Sequence, residues 1–307
     1  MPGDRRENHD PHAFSADRPI TTRAEDKLGR RKFSEDLAGA IRGWSGDDSL
    51  VVALYGPWGC GKTSVKNMVA DALNEVDESR RPDIVEFNPW AFAAQHQLWG
   101  AFFQEVGSRL ERAKKHWWDR QLVSTWRKYA AALTLGRSVA ETVHGFVLAT
   151  VALLLAFGVY TAAASHGAVV GILGGLAVVA FMFAGMAKVA GAMSDFVAAR
   201  LEGGNRTIPE WKEEVARLLR RRTKPILIIL DDIDRLDATE VREVFQLVKA
   251  NADLPKLVYL MPFQRDLVEE RLGKAVPGWG REYLEKIVQV AFDVPAVERA
   301  RMMQLLF

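Results

Sequence analysis

Residues 56–64 of the chain read Gly56-Pro57-Trp58-Gly59-Cys60-Gly61-Lys62-Thr63-Ser64. This segment fits the pattern G-x-x-x-x-G-K-[ST], in which a glycine-rich loop surrounds phosphate groups with its backbone N–H groups. A continuous apolar run over residues 49–55 precedes it and is typical of a strand buried on both faces of a parallel sheet. Apolar residues at helical spacing follow over about 62–76. The strand–loop–helix context therefore predicts a phosphate-binding loop within an α/β fold.

The glycine loop predicts roles for its own residues. Lys62 is expected to reach the β- and γ-phosphates of a nucleoside triphosphate, and the Thr63 hydroxyl is expected to bind Mg²⁺. The loop glycines permit the tight backbone path, and the N-terminus of the following helix favours negative charge. The remaining residues predicted to contact the nucleotide are Gly56, Pro57, Trp58, Gly59, Cys60, Gly61 and Ser64.

A second part of the same kind of site lies far along the chain, where the apolar run 225–230 ends at Asp231-Asp232. A carboxylate at that place can hold Mg²⁺ through water, so Asp231 is predicted to be a metal-site residue. Asp232 is the candidate base that polarises the attacking water. Arg235 is a candidate for stabilising charge on the transferring phosphoryl group, in this subunit or in a neighbouring one. A local Asp–Arg pair is the alternative reading of Arg235.

Other segments complete an alternation of strands and helices, which predicts a mainly parallel sheet flanked by helices. Asn88-Pro89 is expected to end the second strand, because proline cannot continue a ladder. Further strands are predicted at 83–87, 257–261 and 288–293. Helices are predicted after Gly29 up to residue 43, and at about 96–112, 210–222, 239–250 and 280–286.

A charge-free stretch over residues 142–187 lies between the two parts of the site. Ser165-His166-Gly167 divides it into two arms, each of which reaches roughly 30 Å as a helix, the thickness of a bilayer core. Lys and Arg flank the near ends but are missing from the far turn, so the near ends are predicted to be cytoplasmic. Three tryptophans in the preceding basic segment suit an interfacial helix. These are Trp117, Trp118 and Trp126. A buried helical hairpin in a soluble core is the alternative.

Composition sets broader limits on the chain. It has 307 residues, 49% of them hydrophobic and 26% charged, with a formal net charge of +2. This balance gives no argument for direct binding of nucleic acid. The single cysteine, Cys60, excludes a disulfide within the chain. The polar N-terminus has no secretory signal, and residues 1–20 are expected to be disordered.

The resulting division of the chain is as follows. Residues 21–112 form the first part of the nucleotide domain, 113–141 a basic Trp-rich juxtamembrane helix, 142–188 a transmembrane hairpin, 189–224 juxtamembrane return helices, and 225–307 the second part of the nucleotide domain. The chain stops within an apolar helical pattern, so a truncated C-terminus is one reading of its end.

Several motifs resemble the KAP family of P-loop NTPases. They are Asp26-x-Leu28-Gly29-Arg30, the glycine loop, Phe87-Asn88-Pro89-Trp90, Asp231-Asp232-Ile233-Asp234-Arg235 and Tyr283-Leu284-Glu285-Lys286-Ile287. The resemblance covers roughly residues 24–307. It implies ATP as the nucleotide, and an ASCE-type sheet in which another strand separates the glycine-loop strand from the aspartate strand. Transmembrane helices between the two nucleotide motifs are frequent in this family.

The resemblance also implies positions for further residues. Leu28-Gly29-Arg30 are expected near the adenine, with a plain turn and helix start as the alternative for Gly29 and Arg30. Family members tend to carry an acid at the end of the fourth strand, where this chain has Gln264. Gln264 can hydrogen-bond a water or the γ-phosphate but supplies no negative charge, which weakens any sensor role there.

Together these features predict a membrane-anchored NTPase that binds Mg²⁺ and ATP and hydrolyses ATP to switch an assembly or signalling state. Two alternatives stay open: a nucleotide-binding membrane scaffold with little hydrolysis, and an ATP-gated, pore-like effector. The expected partners are ATP and the lipid bilayer, with a homo-oligomer if Arg235 acts between subunits. The expected location is the bacterial inner membrane, with two spans and both termini cytoplasmic. A role in phage exclusion is implied by the family resemblance alone.

Overall fold

A parallel five-stranded sheet forms the centre of the protein in a computed structural model that describes residues 18–93, 98–113, 117–163, 178–191, 194, 206–276, 278, 280–297 and 303. Its strands are β1 (Leu50–Tyr55), β2 (Asp83–Phe87), β3 (Ile226–Leu230), β4 (Leu257–Phe263) and β5 (Val290–Asp293). Their order across the sheet is β2-β3-β4-β1-β5, and every adjacent pair is parallel. The prediction of a parallel sheet flanked by helices is confirmed.

The strand order places β4 between β1 and β3. The glycine loop follows β1 and Asp231 follows β3, so the expected separation of these two strands by another strand is confirmed. Strand β4 runs two residues further than predicted and includes Pro262. The β3 ladder ends at the pair Ile229↔Leu260, so Pro262 is paired only with β1. A proline without an N–H is tolerated in a central strand where the neighbouring ladder has ended.

Helices cover both faces of the sheet. They are α1 (Arg31–Gly43), α2 (Lys62–Asn74), α3 (Trp90–Ala93), α4 (Leu98–Ala113), α5 (Trp117–Ala163), α6 (residues 178–191), α7 (Ile208–Arg220), α8 (Ala238–Ala250), α9 (Arg265–Ala275) and α10 (Gly280–Ile287). Helix α9 is not among the helices expected from the sequence. Its apolar stripe is narrow, with Val268 and Leu272 as its buried residues, so helical periodicity is weak there.

Alternate side chains of the strands point into two separate cores, as the period of two in a β-strand requires. On one face, Leu54 of β1 and Ile229 of β3 pack with apolar residues of α1 and α2, including Ile41 and Val69. On the other face, a larger core joins the sheet to α4, the first part of α5, and α7 to α10. Because both faces are covered, β3 and β4 are buried along their whole length.

The N-terminal boundary differs from the one predicted. Residues 18–20 had been assigned to a disordered lead-in, but the Asn67 side chain on α2 donates a hydrogen bond to the Ile20 carbonyl at 2.8 Å. Arg23 is buried and donates to the Asp71 carboxylate at 2.9 Å. The ordered domain therefore begins before residue 21. The rest of the predicted lead-in, residues 1–17, lies outside the described residues.

The basic Trp-rich segment is part of the domain core. Trp126 is 1% exposed and its indole N–H donates to the Phe103 carbonyl at 3.0 Å. Leu122 and Tyr129 on the same face of α5 are also buried. The interpretation of Trp126 as a residue of the membrane interface was therefore wrong. Trp117 is 62% exposed, and the side chain of Trp118 lies outside the described residues.

A buried ion-pair group fixes the start of α5 to the sheet. The Arg222 guanidinium, in the turn after α7, contacts the carboxylates of Asp83 at the start of β2 and of Asp119 in the first turn of α5. The side chains of all three residues are less than 10% exposed. Breaking such a buried group costs more than breaking a surface pair, so α5 and the sheet are held together at this end.

The segment 142–188 is only partly described. Helix α5 continues without interruption to Ala163, and α6 is described from residue 178 to residue 191. In the part of the chain that the structure describes, which leaves out 164–177, no helix combines the length and the apolar character needed to cross a membrane. The predicted transmembrane hairpin is therefore not seen. Gly171 and Gly175, whose spacing permits close packing of two helices, lie outside the described residues.

Candidate functional site

A cleft of about 900 Å³ opens at the carboxyl ends of β1 and β3. In a parallel sheet these ends, with the loops that follow them, are where ligands usually bind. Two groups of residues line it. The first comes from the N-terminal segment, the glycine loop and the first turns of α2, and the second comes from the turn after β3. They are Arg18, Pro19, Ile20, Glu25, Asp26, Lys27, Leu28, Arg30, Trp58, Gly59, Cys60, Gly61, Lys62, Thr63, Ser64, Met68, Asp231, Asp232, Asp234 and Arg235.

The glycine loop connects β1 directly to the N-terminus of α2. Gly59 and Gly61 have positive φ angles of 77° and 88°, a region that residues with a Cβ atom rarely adopt. A Cβ atom on Gly61 would lie 2.6 Å from the Arg30 guanidinium. The sequence motif therefore has the backbone conformation it needs, and the first N–H groups of α2 are left for an anion.

Arg30 anchors the glycine loop. Its guanidinium is 5% exposed and donates to the Cys60 carbonyl at 2.5 Å and to the Pro295 carbonyl at 3.0 Å. Burial lowers the pKa of Arg30 below its ordinary value. The guanidinium is thus engaged by two backbone carbonyls, while Arg30 also lines the cleft, and its expected place near the adenine stays a prediction.

Asp26 shapes the turn before α1. One carboxylate oxygen accepts the backbone N–H groups of Leu28 and Gly29, and the other accepts that of Arg31 at 2.7 Å. Gly29 takes the positive φ of 76° that this turn requires, and it does not line the cleft. Leu28 does line the cleft. The apolar Leu28 side chain is thus better placed than Gly29 for a flat base.

Lys62 has a full set of acceptors. Its ammonium group donates to the carbonyls of Gly56 at 3.0 Å and Pro57 at 3.3 Å, and it lies 3.3 Å from the Asp234 carboxylate. The side chain is 12% exposed. It lies in the same cleft as Asp231 and Asp232, so folding brings the two distant halves of the predicted site together.

Asp231 is held from two directions. One of its oxygens lies 3.1 Å from the ammonium of Lys66, one turn after Lys62 on α2, and the other accepts the backbone N–H of Asp232 at 3.0 Å. Lys66 also lies 3.3 Å from Glu86 on β2. Burial lowers the pKa of Lys66, but the two carboxylates outweigh burial and raise it above its ordinary value. A buried, charged lysine therefore lies next to the residue predicted to hold Mg²⁺.

Asp232 adopts the left-handed conformation with φ 59°, which is uncommon outside glycine. One carboxylate oxygen accepts a hydrogen bond from the Asn88 side-chain amide at 2.9 Å, and the other lies 2.9 Å from the Arg235 guanidinium in an ion pair. The guanidinium also lies 5.5 Å from the ring centre of Trp58 and 5.4 Å from that of Trp90. The alternative of a local Asp–Arg pair at Arg235 is thus realised, with Asp232 as the partner.

Gln264 follows β4 and precedes the first turn of α9. It does not line the cleft described above. Its predicted hydrogen bond to a water or a γ-phosphate therefore stays a prediction.

The residues present fit a nucleotide with Mg²⁺. The glycine loop supplies backbone N–H groups, Lys62 supplies a cation, and Thr63 and Asp231 supply a hydroxyl and a carboxylate along the same cleft. Hard oxygen ligands of this kind, completed by substrate phosphates, suit Mg²⁺. Within the described residues, no group of three or more His, Cys, Asp or Glu side chains forms a metal site by itself.

Several residues that contact the predicted site residues were not themselves expected in the site. Lys66, Asn88, Asp234 and Trp90 all touch Asp231, Asp232, Lys62 or Arg235. Lys66 could have been noticed in the sequence. It is a charged residue next to Val65 and Val69, on the side of α2 whose other residues are apolar. The partners of Asn88 and Asp234 are separated from them by many residues, so no local pattern indicates the contacts.

The fold and site define the class of protein: a P-loop NTPase domain, with the glycine loop after one strand, the paired aspartates after another, and a strand between them. Within that class, the chain belongs to the KAP family, because the family described as "KAP family P-loop domain" matches residues 30–307.

A curated relative is the "Phage T7 exclusion protein" of Escherichia coli (strain K12). The two sequences are 25% identical over 276 residues, which cover 89% of this chain and 34% of the relative. The chain thus spans about a third of the length of that protein.

Proposed function

We propose that the chain binds ATP with Mg²⁺ in the cleft at the carboxyl edge of the sheet and hydrolyses it to switch between two states. The observation that carries this proposal is that Lys62 and Asp231, which lie 169 positions apart in the sequence (231 − 62), line one cleft at the glycine loop. Residues of the loop then bind the phosphates, and Leu28 borders the space for the base.

The chain's own residues divide the chemistry among them. Lys62 and the N-terminus of α2 hold the β- and γ-phosphates, and Thr63 and Asp231 hold Mg²⁺, which neutralises charge on the phosphates when bound. Asp232 orients the attacking water and accepts its proton. Arg235, beside Asp232, stabilises negative charge on the transferring phosphoryl group. This assignment requires Asp232 to give up either its hydrogen bond from Asn88 or its ion pair with Arg235 to make room for the water.

Phosphate release by the purified full-length chain tests hydrolysis. We expect Asp232→Asn to lower the rate by about 10²- to 10⁴-fold, since removal of a general base has that effect. Asp47→Asn is the matched control, because Asp47 is exposed in the turn before β1, at the opposite end of the sheet. Phosphate release that Asp232→Asn leaves unchanged would refute the catalytic assignment.

A second candidate is a nucleotide-binding scaffold with little hydrolysis. One specific observation favours it: one oxygen of the Asp232 carboxylate accepts a hydrogen bond from Asn88, and the other forms an ion pair with Arg235. An attacking water would therefore have to displace one of these two partners from the carboxylate. Under this reading the wild type binds the nucleotide but releases no more phosphate than Lys62→Ala does.

Anchoring in a membrane is also a proposal. It is supported by the charge-free sequence 142–187 and by the exposure of apolar side chains on the distal half of α5 and on α6. Leu148 is 58% exposed, Phe183 70% and Met186 57%. We expect the full-length chain to stay in the membrane fraction after an alkaline wash, and a chain lacking 142–187 to be released. Release of both would refute the anchor.

A role in phage exclusion is proposed from the relative's name and from common membership of the family. The relative is much longer than this chain, so the proposal concerns the nucleotide domain as one part of such a system. Its test is the plating efficiency of phages, T7 among them, on cells with and without the gene, and with Lys62→Ala as the inactive control. Equal plating on all three strains across a panel of phages would contradict it.

A further inference from the structure

The negative charges of the aspartates after β3 are balanced by cationic side chains of the same protein. Three cations within the described residues each pair with one of the three aspartates that follow β3. The pairs are Lys66 with Asp231 at 3.1 Å, Arg235 with Asp232 at 2.9 Å, and Lys62 with Asp234 at 3.3 Å. Of these cations, Lys62 is the one that the glycine-loop pattern directs to the phosphates. Asp234 is therefore the acid that is paired with the cation predicted to bind phosphate.

The Lys62 ammonium group already has three partners. It donates hydrogen bonds to the carbonyls of Gly56 and Pro57, and it forms an ion pair with the Asp234 carboxylate. To bind a phosphate oxygen, Lys62 must release one of them. A phosphate most directly replaces the Asp234 carboxylate, since both groups present negatively charged oxygen acceptors to Lys62.

Asp234 is held in position by the turn that carries it. Its backbone carbonyl accepts a hydrogen bond from the Arg271 guanidinium on α9 at 2.7 Å, and its neighbour Ile233 is fully buried. The Asp234 side chain is itself 9% exposed. When Lys62 turns to a phosphate, Asp234 thus stays close by as a poorly solvated negative charge. Such a charge opposes the binding of an anion.

We propose that Asp234 is a resident anion that competes with nucleotide phosphate for Lys62 and so sets the affinity of the site for ATP. This inference rests on the proposed binding of nucleotide in the cleft. It assigns Asp234 a role opposite to that of Asp231: Asp231 supports the bound Mg²⁺, whereas Asp234 weakens the complex. A site of this kind binds ATP less tightly than its glycine loop alone would allow.

Two substitutions separate competition from support. Asp234→Asn keeps the shape and an oxygen acceptor for Lys62 but removes the charge, and Asp234→Ala removes both. If Asp234 competes with phosphate, both variants bind the nucleotide more tightly, by roughly tenfold for a partly buried charge a few ångströms away. If Asp234 instead positions Lys62, Asp234→Asn binds like wild type and Asp234→Ala binds more weakly.

The experiment is isothermal titration of the full-length chain with adenylyl imidodiphosphate and Mg²⁺, with Asp47→Asn as the control for the same chemical change. Tighter binding by Asp234→Asn than by the wild type and the control supports the inference. Binding by Asp234→Asn when the wild type and the control show none supports it as well. Equal or weaker binding by Asp234→Asn, with measurable binding by wild type, overturns the inference and leaves the proposed function intact. Absence of binding by every protein overturns both. Thermal melting of each variant confirms that the folded chain is titrated.

Discussion

Replacement of Arg30 by methionine tests whether this residue anchors the glycine loop or contacts the base. The substitution keeps a long apolar stem but removes the guanidinium that donates to the carbonyls of Cys60 and Pro295. Both acceptors are part of the support for the loop: one lies within it and the other in the segment after β5. Without Arg30, the loop loses its link to that segment.

The size of the effect follows from the two hydrogen bonds. Bonds from a charged donor contribute about 1.5 to 3 kcal/mol each. Arg30 is 5% exposed, and removing a buried charge recovers part of its desolvation cost. We therefore expect a net loss of about 2 to 3 kcal/mol in the free energy of unfolding. For a domain of this size, that lowers the melting temperature by roughly 5 to 10 °C.

Thermal melting in the absence of nucleotide measures this loss, and titration with ATP and with GTP measures its consequence for binding. Arg31→Met is the matched control, since the Arg31 side chain is 62% exposed and contacts Glu35 on the same helix. An anchoring role predicts weaker binding of both nucleotides by a similar factor. An unchanged melting temperature, together with a selective loss of ATP binding, would refute the anchor and restore the adenine contact.

Three further substitutions test other parts of the structure. Trp126→Ala should lower the free energy of unfolding by about 3 to 5 kcal/mol in urea titrations, because Trp126 is buried, whereas Trp117→Ala should change it by less than about 0.5 kcal/mol. Arg222→Met should cost about 3 to 5 kcal/mol in the same assay, since it removes the cation shared by two buried carboxylates. Gly61→Ala should weaken ATP binding in a calorimetric titration by about tenfold or more, because its φ is 88° and its Cβ would meet the Arg30 guanidinium.

Residues of the same type in unconstrained positions provide the controls. Arg221→Met changes an exposed arginine next to Arg222 and should leave stability within about 0.5 kcal/mol. Gly39→Ala lies in α1 with no atom near its new Cβ, so it should be neutral or slightly stabilising. Equal losses for Trp117→Ala and Trp126→Ala would contradict the buried position of Trp126. Normal ATP binding by Gly61→Ala would contradict the loop conformation.

Much of the sheet could be predicted because its signals are local. Strand β3 is a continuous apolar run that ends in two acids, and β1 is a similar run that ends in the glycine loop, so each segment indicates both its structure and its place in the site. The end of β2 at Phe87 followed from the proline two residues later. Helix α1 begins soon after Gly29, whose positive φ ends the preceding turn.

The contacts between site residues could not be predicted, because they join side chains that are far apart in the sequence. Asn88 and Asp232 are separated by 144 positions, and Arg30 and Pro295 by 265. Any of several cations could have paired with Asp231, and only the packing of α2 against the sheet selects Lys66.

Trp126 was misjudged for a different reason. Basic residues and tryptophans are typical of a membrane interface, and this composition outweighed the helical spacing of Leu122, Trp126 and Tyr129, which indicates a face packed on a protein core. Composition alone does not say which surface a helix contacts. The periodicity of its apolar residues was the better signal here.

The dependence of ATP binding on Mg²⁺ tests the central claim most directly, namely that Lys62 and Asp231 act on one bound nucleotide. Calorimetric titration with adenylyl imidodiphosphate, with Mg²⁺ and with EDTA, would be compared for the wild type, Lys62→Ala and Asp231→Asn. We predict that Mg²⁺ strengthens binding by the wild type, that Asp231→Asn loses most of this gain, and that Lys62→Ala loses binding under both conditions. Binding by Lys62→Ala at the wild-type level, or a full Mg²⁺ effect in Asp231→Asn, would contradict the account.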